Sequence, residues 1–345
     1  MVYLPILIGF IYALTSTSIS HSYLHTSTVD AYSGILSSVF HLSSLLSLIY
    51  CKIPYRLSVL ISCLLIITSI HLPWLTLQRS FLGLSSPNIA CLAYFSALPH
   101  NDSIKYTNIF NIACLLGTSI GILSHLESLP ITCLWVFICI LNILIKSEKK
   151  TQELYLPQIV SVNIICFLSF LIEMLGESAL LSGPIVLKSV WGWENNHIDY
   201  LMSFGHIIST PVHYILTGRL YNNAKYLMIN SIGFCGVGSS MLTSLMYSFM
   251  IQQCAGICVT IGAVYFARAS LCYYVTKSYG EGVYIKAAMA GILGRSISGA
   301  FLFLVDQDNH EQLNRVLFFP ITFVIMATLV FGNYKDSLED HIKPS

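Results

Sequence analysis

Apolar residues along this chain come in runs of about twenty, relieved mainly by Ser, Thr, Gly and Cys, and short polar turns separate the runs. A helix needs about 20 mostly apolar residues to cross the hydrocarbon core of a bilayer. The pattern predicts twelve such spans, over roughly 2–20, 31–50, 57–73, 75–97, 107–125, 129–146, 157–187, 198–217, 226–246, 249–276, 283–305 and 313–333. Most charges fall in the turns, and no turn is long enough for a soluble domain. The expected class is all-α and polytopic, with lipid as its solvent.

Composition agrees. Of 345 residues, 55% are hydrophobic and 10% charged, and the mean hydropathy is +0.72. A soluble domain carries about 25% charged residues to cover its surface. The net charge of +1 gives no reason to expect nucleic acid as a partner. The eleven cysteines lie mostly inside apolar runs and form no C-x-x-C pair, so zinc and thiol-redox readings lack support.

Lys and Arg set the orientation. With a cytosolic N-terminus, the even connections and the C-terminal tail hold twelve of them, from Lys52 and Arg56 to Lys335 and Lys343, while the odd connections hold only Lys188 and Arg315. The positive-inside rule then puts both termini in the cytosol. Residues 1–20 lack the basic start of a signal peptide and read as a first span.

The longest polar connection falls between spans six and seven. It divides the chain into an N-terminal six-helix half (1–147), a cytosolic linker (148–156), a C-terminal six-helix half (157–334) and a cytosolic tail (335–345). The halves share faint similarity. Residues 113–120 and 290–297 both read A-x-x-L-G-x-S-I, in spans five and eleven. Ala90–Phe95 aligns with Ala269–Tyr274 in spans four and ten. Both matches suit a duplicated six-helix unit.

Charges inside spans cost about 2.5–3.5 kcal/mol at a helix centre, so they usually face a cavity or a partner. The candidates for a substrate or ion path are Arg79 in span four, Glu173 and Glu177 in span seven, Arg268 in span ten and Arg295 in span eleven. The two glutamates are four residues apart and share a helix face. Two carboxylates that close repel each other when ionised, which favours one of them taking a proton. The alternative is a salt bridge to Arg268 or Arg295 that pins span seven to the bundle. Arg79 and Arg295 offer planar donor forks suited to an anion. Arg268, nearer the cytosolic end, is placed to snorkel.

Four further positions concern the helices themselves. Gly183-Pro184 lies within span seven, where proline removes a backbone hydrogen bond and predicts a break, a kink or the helix's outer end. Gly117 and Gly121 form a G-x-x-x-G that lets helices approach closely. The same residues match the G-x-S-x-G of hydrolases, but that motif needs a strand-to-helix turn, not an apolar helix. His206 and His213 in span eight read as packing residues or a proton relay, and His21 and His25 as a solvated turn. No Walker loop, zinc motif or dinucleotide fingerprint occurs, so no enzyme, cofactor or metal is expected.

Several segments resemble the major facilitator superfamily, and within it the group of domain-containing protein 8, the lysosomal ceroid-lipofuscinosis transporter. Span four reads Arg79-Ser-Phe-Leu-Gly-Leu-Ser-Ser-Pro-Asn88, like that group's arginine, L-G stretch and asparagine. Asn111 and the run Leu116–Gly121 stand where span five carries an asparagine and glycines. Glu177 to Pro184, then Trp191 and Trp193, match its span seven. Gly282-Val-Tyr284 and Gly294-Arg295 match its span eleven. The loop Tyr50-Cys-Lys-Ile-Pro-Tyr-Arg56 departs from the superfamily, which places a glycine and an acid there for gating. The resemblance implies a lysosomal or other endomembrane solute carrier linked to anion permeation.

Together these features point to a secondary transporter of a small anionic solute bound between the halves, with Glu177 as a place for proton coupling. Spans one, four, seven and ten would contact the solute, helped by five and eleven. An anion (chloride) channel on the same fold, or a non-transporting scaffold or receptor, uses the same residues differently.

Overall fold

The computed structural model describes residues 2–24, 30–98, 100–124, 126–145, 159–219, 250–278 and 281–303. Spans nine and twelve, at 226–246 and 313–333, lie outside the described residues, as do the 148–156 linker and the 335–345 tail. All regular structure among the described residues is helical. In lipid this is forced, because every backbone N–H and C=O needs a partner within the chain.

The helices are α1 (Tyr3–Leu24), α2 (Asp30–Leu46), a 3-10 turn (Ser47–Lys52), α3 (Tyr55–Ile70), α4 (Leu75–Leu84) and α5 (Pro87–Ser96). Then follow α6 (His100–Ser124), α7 (Ser128–Leu144), α8 (Ile159–Trp191), α9 (Asn195–Arg219), α10 (Met250–Ser278) and α11 (Glu281–Phe303). Segments Lys105–Ser124, Val162–Lys188 and Met250–Ala269 are each long and apolar enough to cross a membrane. Shorter apolar segments occupy α1, α2, α3 and α7.

Two elements differ from the sequence reading. Span four, expected as one helix over 75–97, is two. Pro87 has no N–H, and its ring keeps Ser86 out of the helical region, at φ −41° and ψ 94°. The chain therefore ends α4 and restarts at Pro87, the favoured first position of a helix. Span seven shows the opposite. Gly183-Pro184 does not break it, and α8 runs through Pro184 to Trp191.

Large apolar side chains face outward as well as inward, and small polar ones are buried among the inner set. Leu57 and Leu64 of α3 are exposed, while Ser58, Ser62 and Ser69 on its other face are buried with Val59, Cys63 and Ile66. Buried serines such as Ser69 return their hydroxyls to the backbone, here to the Ile66 carbonyl at 2.7 Å. α7 is alike, with Val136, Phe137 and Ile143 outward and Trp135, Ile138 and Asn142 inward. Trp135 Nε1 donates to Thr15 Oγ1 at 3.0 Å, tying α7 to α1. Arg56 at the start of α3 donates to the Asn142 carbonyl at 3.1 Å and to the Ile143 carbonyl, and Asn142 Nδ2 returns a bond to the Arg56 carbonyl at 2.9 Å. A guanidinium thus satisfies the orphan carbonyls at the C-terminal end of α7.

The main helix contacts come in matching sets. α1 lies along α6, and α8 along α11; α2 lies on α4, and α9 on α10. Two crossings join these groups, α2 with α11 and α6 with α9. Small residues permit the closest approaches. A Cβ at Gly117 would stand 2.3 Å from the Phe10 carbonyl oxygen, and one at Gly294 would stand 2.2 Å from that of Phe170. At the crossings, Ser119 Oγ meets Ser203 Oγ at 2.6 Å, and Ser38 Oγ donates to the Ser296 carbonyl at 2.7 Å.

Candidate functional site

Two cavities lie between these helix groups, one of about 270 Å³ and one of about 250 Å³. They are stacked along the bundle. On α1 the first touches Tyr12 and Ala13 and the second Thr17; on α8 the first touches Ser169 and Glu173, the second Glu177, Leu180 and Pro184. α2 runs the other way, so Ser44 lines the first and Ser33 and Ser37 the second. We refer to them as the lower and upper lobes. Six residues line both: Ser16, Phe40, His41, Thr118, Tyr265 and Arg295. These form the layer between the lobes.

Four of the five predicted path residues gather around this layer from α8, α10 and α11. Glu173 is buried and accepts N–H groups from two arginines. Arg268 grips both of its oxygens, through Nε to Oε1 and Nη2 to Oε2, the latter at 2.5 Å. Arg295 reaches Oε2 through Nε at 2.6 Å and through Nη2. A carboxylate held this way keeps its charge compensated in a low-dielectric interior. Arg268 does not snorkel as its position suggested. It turns inward, with its guanidinium also 4.7 Å from the centre of the Tyr265 ring. Gly291 of α11 allows the approach, since a Cβ there would stand 2.8 Å from Glu173 Cγ.

Glu177, one turn further along α8, faces the upper lobe and has different partners. Ser37 Oγ donates to its Oε1 at 2.5 Å, and His41 Nε2 lies 3.3 Å from its Oε2. Both partners come from α2. The shared face expected of Glu173 and Glu177 therefore splits between two lobes, with the Arg295 layer between them. Arg79 of α4 lines the upper lobe, its guanidinium 5.6 Å from the centre of the Phe40 ring.

Gly117 and Gly121 pack on α1 as backbone-contact positions, Gly121 against Thr17 and Leu14. Gly183 faces Ile257 of α10, and Pro184 lines the upper lobe. His206 is buried beside the upper lobe, with Nδ1 2.7 Å from the Met202 carbonyl and its ring edge-on to Tyr265 at 5.8 Å. His213 is buried one further stretch along α9. His25 and the side chain of His21 lie outside the described residues.

Sequence reasoning missed His41, Ser37 and the part played by α2 and α9 in lining the lobes. One signal was present: a histidine in mid-span two with a serine four residues earlier, on the same helix face. Neutral polar groups complete the lower lobe, with Asn88 from α5 and Asn111 from α6.

No protein-family model matches the chain, and no curated protein is similar to it in sequence. Solved structures are similar in shape. The human organic anion transporter MFSD10 (TETRAN) superposes with a TM-score of 0.68 at 12% identity, over 94% of this chain and 97% of that one. A D-xylose-proton symporter superposes with a TM-score of 0.74 at 12% identity, over 99% of this chain and 97% of that one. These likenesses extend over nearly the whole of each chain: the chain is a polytopic, all-α membrane protein with the major facilitator fold.

Proposed function

We propose that the protein is a secondary transporter that passes a small anionic solute between the two lobes. One observation carries this reading: two cavities stacked on either side of a single side-chain layer that contains Arg295 and His41. A channel-forming pore would join them; a carrier opens them in turn. The groups lining the lobes include three guanidiniums, Arg79, Arg268 and Arg295, against two carboxylates, Glu173 and Glu177. That balance favours a negatively charged solute, although Glu173 already occupies the two-arginine fork. Lobes of about 250–270 Å³ suit a small metabolite. The structural neighbours named for organic anion transport and proton symport use the same fold for such work.

The finer assignments belong to the same proposal. The chain is divided into six-span halves at 1–147 and 157–334, with both termini cytosolic. The matching helix contacts support the division, and the Lys and Arg distribution supports the orientation. Kinship with the domain-containing protein 8 group, and with it a lysosomal address, rests on the Arg79–Asn88, Glu177–Pro184 and Gly282–Arg295 segments.

Flux into liposomes holding the purified protein tests the reading, with an anion dye and a pH dye inside. Wild-type protein moves one or more members of an anion and metabolite panel saturably, and Arg295→Ala and Glu177→Gln reduce the rate at least tenfold. Folded wild-type protein that moves nothing in the panel overturns the proposal. Unsaturable conductance without proton movement reassigns it to a channel.

A further inference from the structure

The two glutamates of α8 differ in a way that assigns them different work. Glu173 meets only guanidiniums in the contacts described above, which carry no removable proton at any ordinary pH. Glu177 meets a hydroxyl and an imidazole, from Ser37 and His41. Imidazole is the side chain whose charge changes in the physiological range. The side chains of His41 and Glu177 are only 7% and 12% exposed, yet His41 lines both lobes. A titratable group that is buried, paired with a carboxylate and bordered by both cavities can take a proton from one and give it to the other.

We propose that His41 and Glu177 form the proton-binding site of this transporter, with His41 as the residue that gains and loses the proton. The assignment deepens the transport reading and rests on it. In the unloaded state Nε2 carries the imidazole proton and faces Glu177 Oε2, 3.3 Å away, and Nδ1 carries none. A hydronium ion in one lobe transfers its proton to Nδ1 and leaves as water. The imidazolium then faces the carboxylate as an ion pair. In the second lobe a water or hydroxide takes the Nδ1 proton, and the neutral pair is restored. Ser37 holds the carboxylate in place by its hydroxyl throughout.

The charged and titratable groups around the pair come from every helix packed on it. Arg295 of α11 shares the layer; Arg79 of α4 and His206 of α9 line the upper lobe; Glu173 of α8 and Arg268 of α10 line the lower one; Tyr265 of α10 lines both. The guanidiniums oppose a further positive charge, and Glu177 is the group that holds it. Since His41 stands on α2 and Glu177 on α8, the loaded ion pair also ties these two helices together.

Diethyl pyrocarbonate modifies neutral imidazole and spares imidazolium, so its reactivity at one histidine reports protonation without any transported solute. The wild-type protein in nanodiscs is treated across about pH 4 to pH 9 and the His41 peptide is quantified by mass spectrometry. The expected result is a sigmoidal loss of His41 modification on acidification, with Glu177→Gln requiring roughly tenfold more acid for half-loss. A second arm measures pH-dye response during solute flux, where His41→Gln uncouples proton movement while Glu173→Gln leaves proton coupling in any residual flux. Flat reactivity at His41, or a midpoint that Glu177→Gln leaves unmoved, overturns the proposal. A titrating His41 in a protein that moves no solute keeps the proton site and overturns the transporter reading instead.

Discussion

The α1–α6 pair and the α8–α11 pair are built on one contact plan and furnished with different chemistry. Gly117 of α6 rests on the Phe10 carbonyl of α1; Gly294 of α11 rests on the Phe170 carbonyl of α8. One residue earlier on α1 and α8 and seven earlier on α6 and α11, Gly9 faces Phe110 in the first pair, and Ser169 donates to the Ala287 carbonyl in the second. Phe10 and Phe170 are 160 residues apart, and Gly117 and Gly294 are 177 apart. With those offsets, Ala13, Thr17 and Thr118 of the first pair correspond to Glu173, Glu177 and Arg295 of the second. The backbone-contact positions stay small because no side chain fits between two helix backbones that close. The lobe-facing positions are free to differ, and only the α8–α11 pair spends them on charge. Each pair thus has one face fixed by sterics and one open to chemistry.

The comparison breaks first at its glycines. Gly117→Leu and Gly294→Leu both force the helices apart against backbone atoms that no rotamer can move, and both are expected to abolish monodisperse protein in size-exclusion chromatography. Survival of either variant with wild-type yield would show that its pair is not closed as described. Next comes charge. Glu173→Gln leaves two buried guanidiniums poorly compensated and should lower stability by about 3 kcal/mol in thermal or denaturant unfolding. Thr118→Val, at the position that corresponds to Arg295, should cost less than about 1 kcal/mol in the same assay. Equal losses would erase the difference between the pairs. The smallest effect tests the crossings. Ser119→Ala and Ser38→Ala each remove one interhelical hydroxyl and should cost about 1 kcal/mol, alike on both sides.

Much of the scaffold was legible because lipid imposes it. Length and polarity of each run set the helices, and A-x-x-L-G-x-S-I marked the two glycines that close equivalent pairs. Proline was the weak point. Pro87 and Pro184 look alike as letters, but one sits where the preceding residue leaves the helical region and the other inside a helix that continues around it. The charges inside spans stand around one region of the bundle, as the cost of burying each alone would have it. A bridge from span seven to Arg268 or Arg295 was one of two readings; that Glu173 takes both arginines and Glu177 takes His41 was out of reach. Whether Arg268 snorkels or turns onto Glu173 depends on the rotation of α10 against α8, which the run of residues in α10 does not encode by itself. His41 was lost for a related reason: a lone histidine in an apolar run gains meaning only when another helix brings a carboxylate to it.

The interruption at Ser85-Ser86 has one further consequence. Where α4 ends, the Leu82 carbonyl leaves the helical ladder and takes Tyr12 Oη at 2.9 Å and Ser85 Oγ at 2.7 Å instead. One span has become two short rods with a joint, and a single phenol on α1 fastens it. The rods bear on different chambers: α4 presents Arg79 to the upper lobe, and α5 presents Asn88, Ile89 and Leu92 to the lower. A stiff rod would make any tilt at one chamber a tilt at the other. A jointed one lets each wall be set separately, with Tyr12 bridging α1 to the joint.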